Sequence, residues 1–381
     1  MEKEVMKVHI LLALLCTLTI QSSEFIYPVA YVPDLSLFLI YQKTPHHIEL
    51  WEWDYQTKRA EQVLLSRFTP AGLKILPSGK GFSFIDNGLI KVKQFIKRSP
   101  RTLDLDAPIQ NIEVITWIDD ENCYTSGQYQ DKVGIFQIDY EGMVYPICLS
   151  REKDYMYPQK RGDMLFCIER DEYDQYRIVK TDYRPIGIEH NDFQKRFFEY
   201  WNHTSNREKI IDFGLKPIVF LTMISSQEGF VLSHPKTVSK KEKIITFSCY
   251  HIIQHDTIWD SIFLFTFSIP SSLIFTGNES RLYEALLPLL PCYTKEKILY
   301  VDSNMKNNLN IYCYEFDKNR PEKVSAAYGF EQFFGLLLVG NRIVYGGRLC
   351  DDPHTSISPK DRLSMAIIEG SVQVRLREYS L

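Results

Sequence analysis

A recurring unit of about 40 residues constrains the fold of this chain more than any other feature of its sequence. The unit is clearest at residues 73–95, LKILPSGKGFSFIDNGLIKVKQF, where an apolar run leads into a Ser-Gly-Lys-Gly turn. Phe82 and Phe84 then alternate with small or polar residues, and Ile90 and Val92 alternate after an Asp-Asn-Gly turn. Alternation with a period of two, bounded by turn residues, predicts short antiparallel strands joined by hairpins.

The same rhythm recurs along the chain, with an apolar strand, an aromatic-rich strand, a polar hairpin and a third alternating strand in each copy. A repeat of this length with about four short strands is typical of a β-propeller blade. The sequence therefore predicts an all-β chain folded as a single β-propeller, with seven blades of about four strands and short helical insertions. Six blades is the alternative count, and a large β-sandwich or two β domains is the alternative architecture. The further copies span residues 35–64, 114–149, 154–185, 219–270, 290–324 and 334–377.

The segment EFIYPVAYVP at residues 24–33 precedes the first complete copy. A strand from the start of a chain can complete the last blade of a propeller and so remove an open sheet edge. We expect residues 24–33 to supply the outer strand of the last blade.

The segment LKILPSGKGFSFIDNGLIKVK resembles the blade motif of TolB-like and related WD40-like propellers. That motif has an apolar residue, Ser-Pro-Asp-Gly-Lys, an aliphatic strand and a second strand of Ile-Tyr-Val character. Here Pro77-Ser78-Gly79-Lys80 lacks the aspartate, and the nearest second match is YVPDLSLFLIYQ with Pro33-Asp34. The resemblance covers most of the chain as fold and implies no particular activity, because a fold does not determine a function.

The N-terminal residues differ in character from the repeats. Residues 9–20, HILLALLCTLTI, form an apolar run preceded by Lys3 and Lys7 and followed by QSSEF. This run suits a signal-peptide core and is shorter than the roughly 20 residues of a membrane span. We expect a signal peptide at residues 1–23, a propeller domain at residues 24–381, a periplasmic or secreted location and no stable membrane insertion.

Net charge limits the classes of partner, and the spacing of the cysteines limits the number of disulfides. The net charge of −4 with mixed signs gives no general attraction to nucleic acid. Beyond the leader, seven cysteines are widely scattered without a Cys-x-x-Cys pair. Such cysteines are typically small buried residues, so we expect mostly free thiols and at most one or two disulfides.

An insertion near residues 188–214 interrupts the repeats and contains aromatic residues at helical spacing. Tyr and Trp often anchor protein interfaces, so the insertion is the candidate partner-binding surface. The alternative is a helix that packs its aromatic stripe on its own propeller. A second short helix is expected at residues 278–291. The candidate partner-binding residues are Phe193, Phe197, Tyr200 and Trp201.

Motifs of catalysis and metal binding are missing from the sequence. It contains no Gly-x-Ser-x-Gly, no His-Glu-x-x-His and no glycine-rich phosphate loop. His251 and His255 are four residues apart, but on a strand they would lie about 13 Å apart, too far to share an ion. We therefore expect no catalytic residue, metal or cofactor.

The sequence leaves two functional hypotheses. The first is an exported, monomeric, non-enzymatic propeller that serves as a scaffold for a protein or peptide partner. The alternative is a propeller hydrolase of the glycosidase or lactonase type, with a carboxylate cluster in the central channel. The alternative depends on acidic residues meeting at that channel, which the sequence does not reveal.

Overall fold

The chain forms two compact units, one of residues 1–69 with 272–381 and one of residues 70–271. The expected signal peptide, and all but the last residue of the expected helix at 278–291, lie outside the residues described. In the computed structural model the described residues are 25–43, 47–54, 56–57, 59–67, 70–112, 114–182, 192–202, 207–234, 244–270, 291–293, 297–303, 309–326, 330–339 and 342–349.

The first three four-stranded sheets run from residue 25 to residue 150, and we number them blades 1 to 3. Blade 1 contains β1 (Phe25–Val32), β2 (Leu37–Lys43), β3 (Ile48–Asp54) and β4 (Ala60–Ser66). Blade 2 contains β5 (Ala71–Ile75), β6 (Gly81–Asp86), β7 (Leu89–Gln94) and β8 (Arg101–Thr102). Blade 3 contains β9 (Ile115–Trp117), β10 (Asn122–Tyr129), β11 (Lys132–Asp139) and β12 (Val144–Ser150).

Blades 4 to 6 follow, with a two-stranded hairpin after them. Blade 4 contains β13 (Lys153–Arg161), β14 (Met164–Asp171), β15 (Tyr176–Asp182) and β16 (Arg207–Gly214). Blade 5 contains β17 (Ile218–Met223), β18 (Glu228–Ser233), β19 (Ile244–His255) and β20 (Ile258–Pro270). Blade 6 contains β21 (Cys292–Tyr293), β22 (Lys297–Ser303), β23 (Leu309–Glu315) and β24 (Arg320–Ala326), and the hairpin pairs β25 (Phe330–Val339) with β26 (Arg342–Leu349).

The predicted fold class is confirmed, since the structure is an all-β propeller, and the described residues form six blades, the alternative count expected from the sequence. Every four-stranded sheet is an antiparallel meander in which the strands follow chain order. Short connections make consecutive strands neighbours, so each sequence repeat becomes one sheet. Blades 2 to 5 make up the second unit, and blades 1 and 6 with the final hairpin belong to the first.

The expectation for residues 24–33 is wrong. Strand β1 pairs with β2, with Tyr27 opposite Tyr41, and so opens blade 1. The cause is local: a 3₁₀ turn at Pro33–Leu35 reverses the chain directly into β2. Within the first unit, β1 also lies against β25 and β26, although no hydrogen-bonded ladder joins them in the described residues.

The phrase at residues 73–95 folds as its pattern predicts. Asn87 and Gly88 both have positive φ angles, 53° and 77°, which is the conformation of a type I′ hairpin turn. The turn joins β6 to β7, with Phe84 opposite Lys91. All six residues of β6 are buried, because this middle strand is covered on both of its faces.

Apolar residues from neighbouring blades form shared cores in the second unit. One core joins blades 2 and 3 through residues such as Ile90, Ile115 and Phe136. Another joins blades 3 and 4 through residues such as Ile135 and Leu165. A single four-stranded sheet has no partner for its second face, so this packing is what stabilises each blade. Cys123 belongs to the first of these cores, and Cys148 and Cys167 belong to the second. The described free cysteines are all buried: Cys123, Cys148, Cys167, Cys249 and Cys313.

The insertion in blade 4 contains one helix, α1 (Phe193–Asn202), between β15 and β16. The structure assigns the end of the expected insertion to a strand, because residues 207–214 form β16. Ile211 and Phe213 are buried at alternate positions there, which suits a strand rather than a helix. Within the described part of the chain, no helix has the length and apolar character needed to cross a bilayer.

Candidate functional site

The first strands of the four blades in the second unit lie side by side. Strand β5 contacts β9, β9 contacts β13, and β13 contacts β17. In a propeller the blades are arranged around a central channel. We call the surface formed by residues 71–75, 115–117, 153–161 and 218–223 the inner-strand surface.

Hydrogen bonds between side chains and backbone connect the strands of this surface. Gln159 Nε2 on β13 donates to Thr116 Oγ1 on β9 over 3.5 Å. Arg161 Nε donates to the carbonyl oxygen of Met223, at the end of β17, over 2.7 Å. Arg161 Nη1 donates to the Lys160 carbonyl oxygen over 2.9 Å. These bonds hold the Arg161 guanidinium at the junction of blades 4 and 5.

Lys74 brings a second cation to the same surface. It lies on β5 opposite Ser83, whose hydroxyl accepts a 2.7 Å hydrogen bond from Trp117 Nε1. Burial, followed by repulsion from the positive charge of Arg161, lowers the pKa of Lys74 from its ordinary value of 10.5. Burial also lowers the pKa of Arg161. The two cations lie on the strands that flank β9, and both side chains are half-buried.

No described carboxylate neutralises these two cations. On β5, β9, β13 and β17 the only acidic residue is Asp154, and it forms an ion pair with Arg170 of the adjacent β14. Neither Lys74 nor Arg161 forms an ion pair with any acidic residue in the described ranges. A cation withdrawn from water without a counter-ion costs free energy. Perturbed charges of this kind are typical of binding sites.

Two of the predicted site residues, Phe193 and Phe197, lie on α1 against blade 3. The Phe193 ring is buried in the core shared by blades 2 and 3, with its centroid 4.9 Å from that of Tyr129 in an edge-on arrangement. Phe197 is half-buried beside the same tyrosine, 5.2 Å between centroids. Tyr200 and Trp201 belong to α1, but their side chains lie outside those described. The partner-binding role of these four residues stays a prediction.

Arg196 anchors α1 to the body of the unit. Its side chain is fully buried and forms an ion pair with Asp106, in the connection between blades 2 and 3. Arg196 Nε also donates to the carbonyl oxygen of Val144 over 3.0 Å, and the guanidinium lies 4.9 Å from the Tyr145 ring centroid. The first half of α1 is thus fixed to blade 3 by a buried charge and by aromatic packing.

The histidines serve local contacts. His251 Nε2 lies 2.9 Å from Glu228 Oε1, and its ring stacks on Phe230. His47 Nε2 lies 3.0 Å from Glu49 Oε1. Among the described residues, no group of three His, Cys, Asp or Glu side chains has an arrangement that could hold a metal ion.

Sequence reasoning missed the pair of Lys74 and Arg161. The two residues come from different repeats, and only the packing of blade on blade brings them together. A signal for one of them is present in the sequence, because Lys74 stands between Leu73 and Ile75 in an otherwise apolar strand.

Comparison with known proteins adds to the fold assignment. No family model and no curated protein matches the sequence. A puromycin-hydrolysing peptidase of Mycobacterium tuberculosis is similar over 86% of this chain and 50% of its own, with 9% identity and a TM-score of 0.58. The tricorn protease is similar over 76% of this chain and 29% of its own, with 10% identity and a TM-score of 0.50. TolB from Acinetobacter baumannii is similar over 81% of this chain and 66% of its own, with 11% identity and a TM-score of 0.44.

The chain spans half or less of the length of the two peptidases it resembles. At such low identities these similarities concern the fold alone. The expected β-propeller fold is confirmed.

Proposed function

We propose that this chain is an exported, non-enzymatic β-propeller that binds a protein or peptide ligand on its inner-strand surface. The observation that carries the proposal is that Lys74 and Arg161, on the two strands that flank β9, are both half-buried and form no ion pair with a described carboxylate. A charge that is partly withdrawn from water is stabilised by a counter-ion, and a ligand that supplies one would stabilise both half-buried cations.

The periplasmic or secreted location is part of the proposal. It is supported by the apolar run at residues 9–20, which has the length of a signal-peptide core. A periplasmic or extracellular scaffold would meet folded partners and free peptides there.

The inner-strand surface also offers neutral hydrogen-bonding groups that suit a peptide. The Thr116 hydroxyl and the Gln159 amide lie between the two cations in strand order, and they can exchange hydrogen bonds with a peptide backbone. The half-buried Trp117 on β9 offers apolar contact area. Sites of this composition, apolar with a few placed polar groups, are typical of ligand recognition.

A hydrolase remains the second hypothesis, because two of the similar structures are named as a protease and a peptidase. Hydrolysis by paired carboxylates needs two acidic groups within several ångströms of one another. On the described inner strands of the second unit the only carboxylate is Asp154, which is engaged by Arg170. On these strands the arrangement therefore does not support hydrolysis by paired carboxylates.

The proposal is tested by selecting binders from a random peptide library on the immobilised full-length chain. The selected peptides are then added to the protein in solution, and amide hydrogen exchange is measured by mass spectrometry. We expect slower exchange at residues 71–75, 115–117 and 159–161, because a bound ligand stabilises the structure that it contacts. The outer hairpin at residues 244–270 serves as the internal control and should be unchanged.

Two results would contradict the proposal. Failure to select any peptide, or protection confined to other blades, would exclude the inner-strand surface as the binding site. Cleavage of the selected peptides during incubation, detected by mass, would show that the chain is an enzyme.

A further inference from the structure

The free edge of the Arg161 guanidinium gives the inner-strand surface a defined chemistry. Arginine has five N–H donors, and the described structure uses Nε and one Nη1 hydrogen to hold the carbonyl oxygens of Met223 and Lys160. Nη2 has no described acceptor. The guanidinium is therefore fixed in place by neutral groups while its outer edge keeps donors for another molecule.

Lys74 and Thr116 supply the remaining donors on the same surface. Lys74 has three ammonium donors, and the described residues provide it with no hydrogen-bond acceptor. The Thr116 hydroxyl accepts from Gln159, so its own hydrogen is free to donate. All of these groups are donors, and two of them carry positive charge. The complementary group is an oxyanion.

The form of the site favours a carboxylate over a phosphate. Phosphate sites are commonly built from backbone N–H groups at helix N-termini or glycine-rich loops. Lys74 and Arg161 lie on antiparallel strands, opposite Ser83 and Met164, and the inner-strand surface as defined contains no helix N-terminus and no glycine-rich loop. The donors are therefore side chains, and a planar guanidinium matches the two oxygens of a carboxylate.

We propose that the inner-strand surface recognises a carboxylate of its peptide ligand, at a free C-terminus or on an acidic side chain, held jointly by Lys74 and Arg161. This inference rests on the proposed function and names the chemical group that the ligand must carry. Binding neutralises both cations and removes the repulsion between them. The carboxylate thus fixes the position of a ligand whose remaining contacts are with Thr116 and Gln159.

The test uses matched probes that differ only in this group. The full-length chain is titrated by calorimetry with acetyl-Ala-Ala-Phe-Ala ending in a free carboxylate, with the same peptide as its C-terminal amide, with the amide of a peptide containing glutamate, and with inorganic phosphate. We expect the free acid or the glutamate peptide to bind at least about tenfold more tightly than the neutral amide, since hydrogen bonds to a charged group are stronger than those to a neutral one. The two acidic probes separate a chain terminus from an acidic side chain.

Variants assign the binding to the two cations. Lys74→Met and Arg161→Met should each weaken binding of the acidic peptide about tenfold. Lys97→Met removes the same charge from an exposed turn and should bind as the unaltered protein does. Arg161→Lys keeps the charge but not the planar fork, so it should retain part of the affinity. Thermal unfolding shows whether each variant is folded. If an Arg161 variant does not fold, Lys74→Met alone still tests the inference.

Several outcomes would overturn the inference. They are equal affinity for acid and amide, no binding of either acidic peptide at about 10 mM, unchanged binding by Lys74→Met, and binding of phosphate without binding of a carboxylate. A different result would contradict the proposed function, namely that no library peptide slows amide exchange in the inner strands. If library peptides protect those strands but do not depend on Lys74 or on a carboxylate, the proposed function stands and this inference is wrong.

Discussion

At the scale of single residues, Lys74 is the side chain whose position most needs a physical explanation. It lies on an inner strand near a second cation, and both burial and repulsion lower its pKa below the ordinary value of 10.5. The folded state therefore binds the Lys74 proton more weakly than the unfolded chain does. Between the lowered pKa and about 10.4 the unfolded state holds more protons, so the free energy of unfolding should rise with pH in that window.

The substitution Lys74→Met isolates this effect, since methionine keeps an unbranched side chain and removes the charge. We expect the variant to be more stable than the unaltered chain at pH 7, by about 1–2 kcal/mol, because replacing a buried charge with an apolar group is often stabilising. The difference should shrink as the pH is raised toward 10.4 and Lys74 becomes neutral in both states. Urea unfolding at pH 7, 8.5 and 10 measures it.

The control is again Lys97→Met at an exposed turn, for which we expect a change within about 0.5 kcal/mol at every pH. A Lys74 variant that is less stable than the parent at pH 7, or a difference that does not change with pH, would show that Lys74 has a counter-ion in the folded chain.

What the sequence predicted at this scale depended on local chemistry. The Asn87-Gly88 turn was predictable because positive φ angles at both positions are a property of those two residues. The separation of His251 and His255 was predictable from the rise of a strand. Proximity of Lys74 and Arg161 was not predictable, because it depends on the packing of blade 2 beside blades 3 and 4 rather than on either strand.

At the scale of elements, α1 illustrates how a segment can interrupt a blade without disrupting it. The insertion separates the third strand of blade 4 from the fourth, yet β16 still pairs with β15, with Ile178 opposite Ile211. The aromatic spacing of residues 193–201 predicted the helix, and Arg196 supplies the anchor that the spacing did not indicate. Sequence reasoning treated residues 207–214 as part of the insertion because the inserted residues separate this strand from the rest of its repeat in the sequence.

The contribution of the anchor can be measured with Arg196→Met. The change leaves Asp106 without its partner and removes the bond to the Val144 carbonyl oxygen. Because Asp106 is partly exposed and can be solvated, we expect a loss of about 3 kcal/mol in the free energy of unfolding, near the lower end for a broken buried ion pair. Urea unfolding gives the loss, and faster amide exchange at residues 193–202 should accompany it.

The matched control is Lys195→Met, on the exposed side of the same helix, with an expected change within about 0.5 kcal/mol. Equal effects of the two substitutions would mean that aromatic packing alone holds α1 in place, and that the buried charge is incidental.

At the scale of the whole molecule, the sequence predicted the repeat better than the number of its copies. The starts of the copies at residues 35, 73, 114, 154, 219 and 290 fall within or close to blades 1 to 6. The last copy, residues 334–377, corresponds to β25 and β26 as far as residue 349, and its remainder lies outside the described residues. Periodicity identifies strands well but does not state how many of them join one sheet, since pairing depends on long-range contacts.

The buried thiols provide a probe of cooperativity in most of the blades. Cys123 and Cys148 lie in blade 3, Cys167 in blade 4, Cys249 in blade 5 and Cys313 in blade 6. Burial raises the pKa of the thiol at four of these positions, so each of the four is both shielded and protonated at neutral pH. A thiol that is neither exposed nor ionised reacts slowly with alkylating reagents. In the native chain we expect all five to resist a pulse of iodoacetamide.

With increasing urea, each thiol should become reactive only when its own blade opens, and peptide mass spectrometry reads the five sites separately. Shared cores join blades 2 to 4, so Cys123, Cys148 and Cys167 should become labelled at one urea concentration, and Cys249 with them because β13 and β17 are in contact. Cys313 tests the first unit, and the single-propeller architecture predicts the same midpoint there. Labelling of Cys313 at a clearly lower or higher urea concentration would show that the two compact units unfold independently, and a spread among the other four would show that single blades open on their own.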